Sequence, residues 1–195
     1  MKTFFFILFS LTLYSCEDLV QKQSASFLND SIRWQGSVIN GKKEGVWKEY
    51  YNNGKLKSIA NYKNGFKEGQ EKSYYPNGNV YNELSYKQNH FYGTIKFYHS
   101  NGKLNFQEYY DKKGLSQGVF RLLYDNGKVS QIGYHKHGKM VGEWLKYFND
   151  GSLQDVSYYD SLGFKSGKWI YYSKSKKVIK TEYYLNDQLI KKDSL

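Results

Sequence analysis

From residue 31 onward, apolar and polar residues alternate in short runs that glycine interrupts at regular intervals, a pattern that predicts strands joined by tight turns. Glycines recur at 45, 69, 93, 118, 142 and 167, with spacings of 24, 24, 25, 24 and 25 residues. A fixed period of this size marks a repeat architecture. Nine residues after each of the first five stands a second glycine, Gly54, Gly78, Gly102, Gly127 and Gly151, preceded by Asn53, Asn77, Asn101, Asn126 and Asp150. The sixth repeat carries Ser175-Lys176 there instead.

Asn-Gly between alternating segments predicts a type I′ hairpin, whose two central residues both need positive φ. With Asn53-Gly54 as a two-residue loop, Tyr51 falls opposite Leu56, Trp47 opposite Ala60 and Tyr62 opposite Gly45, so that a tyrosine ring would lie over bare glycine backbone. The Tyr62 slot holds Tyr86, Tyr110, His135, Tyr159 and Tyr184 in later repeats, and the Leu56 slot holds Val80, Leu104, Val129, Leu153 and Val178. One face of each hairpin is therefore expected to be apolar or aromatic. In the 25-residue repeats the extra residue falls within DKKGLSQ and DSLGFKS, where a turn absorbs it without reversing the faces.

The predicted fold is all-β, an elongated antiparallel meander of about thirteen strands built from a half repeat and six repeats over residues 31–190. Composition agrees, with 21 tyrosines and 18 glycines against a single proline. Residues 16–30 read as a tether and residues 191–195 as a tail.

GVWKEYYNNGKL, beginning at Gly45, GTIKFYHSNGKL, beginning at Gly93, GVFRLLYDNGKV, beginning at Gly118, and GEWLKYFNDGSL, beginning at Gly142, resemble the MORN repeats, in the variant with a tyrosine pair before the Asn-Gly turn. That resemblance covers residues 31–190. It implies a membrane-associating, protein-binding or scaffolding module with no catalysis of its own, and one bacterial group with this variant is antitoxin-like.

The first residues, MKTFFFILFSLTLYSC, hold an apolar run from Phe4 to Leu13, too short to span a bilayer core, which takes ~20 helical residues. Residues 1–15 read as a secretory signal. Leu13-Tyr14-Ser15-Cys16 resembles a bacterial lipobox, which implies acylation of Cys16 and a lipoprotein anchored in the cell envelope, at the outer membrane. Cys16 is the only cysteine, so no intramolecular disulfide forms. Lysine and arginine number 29 against 18 acidic residues; loss of Lys2 with the signal leaves 28 against 18, a net +10. Outside the cytoplasm that charge favours an anionic envelope ligand or an acidic protein over nucleic acid.

Candidate chemistry is sparse. His99 and His135 occupy slots that other repeats fill with Tyr or Phe, and His135 with His137 lacks the further ligands a metal needs. Glu49, Glu71, Glu83, Glu108, Glu143 and Glu182 look scattered over different slots. Neither an enzyme nor a cofactor or metal is expected. A stripe does repeat: Lys48, Lys72, Lys96 and Arg121, continued by Leu145 and Ile170, beside Tyr50, Tyr74, Tyr98, Leu123, Tyr147 and Tyr172. Strand alternation puts the two series on one face, either as a solvated surface or as a cationic and aromatic binding stripe. The expected function is that of a non-catalytic, lipid-anchored binding or scaffolding protein; an immunity or antitoxin-like protein and a glycan-binding lipoprotein are the alternatives.

If Cys16 is acylated, the mature protein partitions into detergent and carries a lipid mass increment, and Cys16→Ser releases it or leaves it unprocessed. Phase partitioning with mass spectrometry checks this, and a wholly water-soluble, unmodified wild type contradicts it.

Overall fold

The computed structural model describes residues 20–26 and 32–194, so the signal and Cys16 lie outside the described residues. The strands are β1 (Val20–Ser26), β2 (Ile32–Ile39), β3 (Lys42–Tyr50), β4 (Leu56–Lys63), β5 (Phe66–Tyr74), β6 (Val80–Lys87), the short β7 (His90–Phe91) and β8 (Gly93–Tyr98). They continue as β9 (Leu104–Tyr110), β10 (Ser116–Leu123), β11 (Val129–Lys136), β12 (Lys139–Tyr147), β13 (Leu153–Tyr159), β14 (Gly167–Tyr172), β15 (Val178–Leu185) and β16 (Gln188–Ser194). All sixteen join one sheet in chain order, each antiparallel to its neighbours, with β7 set off the path beside β6. The thirteen strands expected are β2 to β15 without β7. Two more extend the sheet. Residues expected to be a tether include β1, paired with β2, and residues expected to be a tail complete β16, paired with β15.

Each repeat is a hairpin in the expected register near its base, with Gly45 opposite Tyr62 and Trp47 opposite Ala60. Towards the turn the register shifts, and Leu56 pairs with Tyr50 rather than Tyr51. The same shift sets Val80 against Tyr74, Leu104 against Tyr98, Val129 against Leu123, Leu153 against Tyr147 and Val178 against Tyr172. The Leu56 slot therefore joins the Tyr50 face, not the Tyr62 face.

The turn itself explains the shift. At Tyr51–Lys55 the Gly54 N–H donates to the Tyr51 carbonyl at 2.9 Å, the Tyr51 N–H donates to the Lys55 carbonyl at 2.8 Å, and only Gly54 has positive φ, at 78°. This is a type I turn closed by a glycine bulge, not a type I′ turn. Asn53 keeps an ordinary φ because its Oδ1 accepts the N–H of Lys55, and Asn77, Asn101, Asn126 and Asp150 repeat that bond. True two-residue turns with both φ positive occur at the other end of the hairpins, at Asn40-Gly41, Asn64-Gly65, Gln88-Asn89, His137-Gly138 and Asn186-Asp187. In the 25-residue repeats that turn becomes a glycine-closed loop at Asp111–Gly114 or Asp160–Gly163, which is how the extra residue is absorbed.

The leading glycines have a different task from the one expected. A Cβ at Gly45 would meet nothing within 4 Å, so no tyrosine ring rests on it; its φ of +69° is what demands glycine. There, Gly45, Val46 and Trp47 together face the single residue Gly36 of the preceding strand. Two extra residues keep the alternation of faces intact, since the side-chain period is two. The bulge drives Trp47 down onto Gly36, where an added Cβ would lie 2.3 Å from the indole, and likewise Trp144 onto Gly133 at 2.1 Å. Aromatic cover of glycine is thus real, but tryptophan supplies it across the bulge.

Gly133→Ala and Gly69→Ala separate the two roles. Each should destabilise the array, the first by about 1–3 kcal/mol through overpacking against Trp144 and the second by about 1–2 kcal/mol through an unfavourable left-handed φ. The indole NMR resonance of Trp144 should move in the first variant only, with lost hydrogen-exchange protection confined to neighbouring strands in each.

Candidate functional site

The register sorts the sheet into two faces. On one, Trp47, Ala60, Glu71, Leu84, Ile95, Glu108, Phe120, Gly133, Trp144, Ser157, Trp169 and Glu182 form a single row, with large residues alternating with small or polar ones for much of its length. Rings of this row and of the slots beside it are in near-continuous contact from Phe97 through Phe106, Phe120, Trp144, Tyr159 and Trp169 to Tyr184, with centroids 5.0–6.5 Å apart. His135 belongs here, between Phe120 and Trp144, and its Nδ1 is hydrogen-bonded to the buried Glu108 carboxylate, which also accepts the Tyr110 hydroxyl at 2.9 Å. Glu182 occupies the same slot as Glu108 and accepts the hydroxyls of Tyr171 and Tyr184. These two carboxylates are therefore not scattered; they bind the hydroxyls of the aromatic face.

The tyrosine-pair slot, filled by two tyrosines at Tyr50-Tyr51 and Tyr74-Tyr75, divides between the faces. Its second member crosses to the next repeat: the Tyr51 hydroxyl donates to the Tyr74 carbonyl at 2.5 Å, Tyr75 to Tyr98 at 2.8 Å and Tyr124 to Tyr147 at 2.8 Å. His99 does the same through Nε2 to Leu123 at 3.0 Å, so its substitution for tyrosine preserves a donor. Asn77, Asn101 and Asn126 add side-chain bonds to the carbonyls of Ser100, Asp125 and Asn149.

The opposite face carries the candidate stripe. Lys48 pairs with Ile59, Ile59 with Lys72, Lys72 with Glu83, Glu83 with Lys96, Lys96 with Gln107 and Gln107 with Arg121. The row continues through Ile132, Leu145, Val156 and Ile170. Its character changes from charged to apolar along the sheet. Tyr50, Tyr74, Tyr98, Tyr147 and Tyr172 lie beside it, each against the Leu or Val of its own hairpin.

Glu83 was not foreseen as part of the stripe. It accepts Lys72 Nζ at 2.9 Å and the Tyr98 hydroxyl at 2.9 Å. Those two bonds, that from Lys72 first, hold its carboxyl below the ordinary range. The bond to Glu83 in turn raises Lys72. Burial, with the Glu83 bond second, pushes Tyr98 up to about 12. Lys48, Lys96 and Arg121 have no carboxylate ion pair among the described residues. Among the described residues the stripe thus holds one close ion pair, Lys72 with Glu83, and three cations without one, of which Lys96 stands opposite Glu83 across the strands. Among the described residues no group of three or more His, Cys, Asp or Glu is arranged to hold a metal ion, and no helix is long and apolar enough to cross a membrane.

Three consecutive repeats match the MORN repeat variant. The matched segments are residues 43–64, 67–88 and 91–112, each a strand pair of the meander with its glycine-closed turn. The same hairpin continues past these segments in the structure, through β10–β11, β12–β13 and β14–β15, with the same register and the same turn shift. No curated protein matches the chain.

Glu83→Gln tests the centre of the stripe. Because the folded Glu83 carboxyl titrates low, its contribution to stability is present above the ordinary carboxylate range and is lost as pH falls through its folded value. The wild type should lose that increment on acidification and the variant should not. Tyr98 should ionise below about 12 in the variant, yet above its ordinary value of about 10, because burial remains. A Tyr98 phenol titration by NMR checks this, and an unchanged value breaks the assignment.

Proposed function

We propose that this chain is a non-catalytic binding or scaffolding protein of the bacterial envelope, anchored through an acylated Cys16 and using the Lys48–Arg121 stripe as its interaction surface. One observation carries the reading: the sheet register sets four cations, one compensating carboxylate and then four aliphatic residues in one line, with tyrosines alongside. A row of this kind meets an anionic partner by charge at one end and an apolar surface at the other. Repeats of the MORN variant often mediate binding or scaffolding, which agrees with this use of the sheet. The net +10 left after loss of Lys2 with the signal favours an acidic protein or an anionic envelope ligand.

Replacing Lys48, Lys72, Lys96 and Arg121 together with Gln tests the stripe. Lys48 and Arg121 are exposed, Lys72 and Lys96 half-buried and Lys72 ion-paired with Glu83; such changes cost about 1 kcal/mol or less each, so folding should survive. Affinity for the partner recovered by cross-linking from native membranes should fall about tenfold or more, and its salt dependence should flatten. Unchanged binding in a pull-down titrated with salt removes the stripe as the binding surface.

A further inference from the structure

The row of large apolar residues on the aromatic face is interrupted in the second repeat. In the slot filled by Trp47, Ile95, Phe120, Trp144 and Trp169, the second repeat has Glu71. In the neighbouring slot, where the third repeat has Phe97, it has Ser73. Ser58, Ser73 and Asn82 stand in register across β4, β5 and β6, beside the small Ala60. The missing rings leave a cleft of about 390 Å³ between Trp47 and Tyr62 on one side and Tyr81 on the other.

The cleft combines ring walls with polar groups of both kinds. Lys43 Nζ lies 4.3 Å from the Trp47 ring centre and 4.9 Å from that of Tyr62. The carboxylates of Glu49 and Glu71 open onto the same space, each next to its own lysine, Lys57 for the first and Lys67 for the second. Asn82, only 6% exposed, lines the floor, and its Oδ1 has no hydrogen-bond partner. A buried acceptor left unpaired is costly, and a donor from a ligand would satisfy it.

These features select a ligand class. Each carboxylate is matched by its own lysine and the Lys43 ammonium is held over the rings, which leaves no cluster of free cations for a phosphate or other multiply charged anion. A wholly apolar ligand would strip water from the serines, Asn82 and the carboxylates without replacing their bonds. A neutral sugar ring offers hydroxyl donors and acceptors to these groups and C–H faces to the rings. We propose that this cleft, on the face opposite the basic stripe, binds a neutral pyranose unit of a glycan. It is a second site and does not depend on the stripe, although both rest on the reading of the sheet as a binding module.

The test titrates the full chain, in detergent, with N-acetylglucosamine tetramer and with cellotetraose up to about 10 mM, a range that detects weak single-sugar affinities. Binding of at least one should shift the Trp47 indole resonance. Ser73→Phe, which imports the residue of the next repeat and fills the cleft, should weaken that binding about tenfold or more with the circular dichroism unchanged. The four-site stripe variant should bind the sugar as the wild type does. Absence of a Trp47 shift with both oligosaccharides overturns the proposal whether or not Ser73→Phe folds, and so does undiminished binding by folded Ser73→Phe. Loss of sugar binding in the stripe variant instead reassigns the sugar to the basic face, whereas loss of partner binding alone there leaves the cleft standing.

Discussion

The left-handed backbone at the leading glycine of each repeat is the constraint on which this sheet depends. At Gly45, Gly69, Gly93, Gly118, Gly142 and Gly167, φ lies between 67° and 85°. An L-residue with a Cβ resists that conformation, so a glycine period in the sequence becomes a bulge period in the sheet. Each bulge adds residues in a pair, which bends the strand without exchanging its faces. Trp47 and Trp144 reach back over the preceding repeat only because the bulge carries them there, onto Gly36 and Gly133. The aromatic row follows from this geometry, and so does the placement of every lysine of the stripe on the other side.

Among the described residues the single sheet has no second layer to bury it, and the chain compensates at the edges of each strand pair. Hydroxyl, imidazole and amide bonds from Tyr51, Tyr75, Asn77, His99, Asn101, Tyr124 and Asn126 reach main-chain carbonyls one repeat further on. On the opposite edge Glu44, Glu68 and Gln117 accept backbone N–H groups of the next turn, those of Asn64, Gln88 and His137. These bonds satisfy groups that a turn would otherwise leave to water, and they tie each hairpin to its neighbour. Phe148 and Ser173 follow Tyr147 and Tyr172 in the last two repeats, and neither prolongs the tyrosine-to-carbonyl series.

Much of the fold was legible because its determinants are local. The glycine period, the two turn regions and the hairpin register at Trp47 and Ala60 all follow from residues within one repeat. The turn type did not, because Asn-Gly suits either a two-residue turn or a glycine bulge; the choice is made by the Asn53 Oδ1 bond to the N–H two residues on. Strands β1 and β16 were missed for a related reason: Val20–Ser26 and Gln188–Ser194 carry no repeat signature and are strands through pairing with β2 and β15. For the stripe, the series Lys48, Lys72, Lys96 and Arg121 was visible as spacing. Glu83 was not, since it belongs to the other strand of a hairpin and meets Lys72 and Tyr98 only through pairing on both sides.

Once the backbone is repeated faithfully, chemistry is free to vary from slot to slot, and the candidate sites arise from that variation. A change of one ring to Glu71 or Ser73 opens a cleft without disturbing the bulge at Gly69, whose φ of +83° depends on glycine alone. A change from Arg121 to Leu145 and Ile170 at one slot turns a charged row apolar within two repeats. In a quasi-linear array such changes remain local in their effect on stability, because each repeat contacts chiefly its neighbours. The two faces also alternate residue by residue, with Trp47 on one and Lys48 on the other. A ligand on the aromatic face and a partner on the basic face would therefore share strands but no side chains, and simultaneous occupancy needs no rearrangement of the sheet. What would couple them is the backbone of β3 to β6, which carries both the cleft and the most charged part of the stripe.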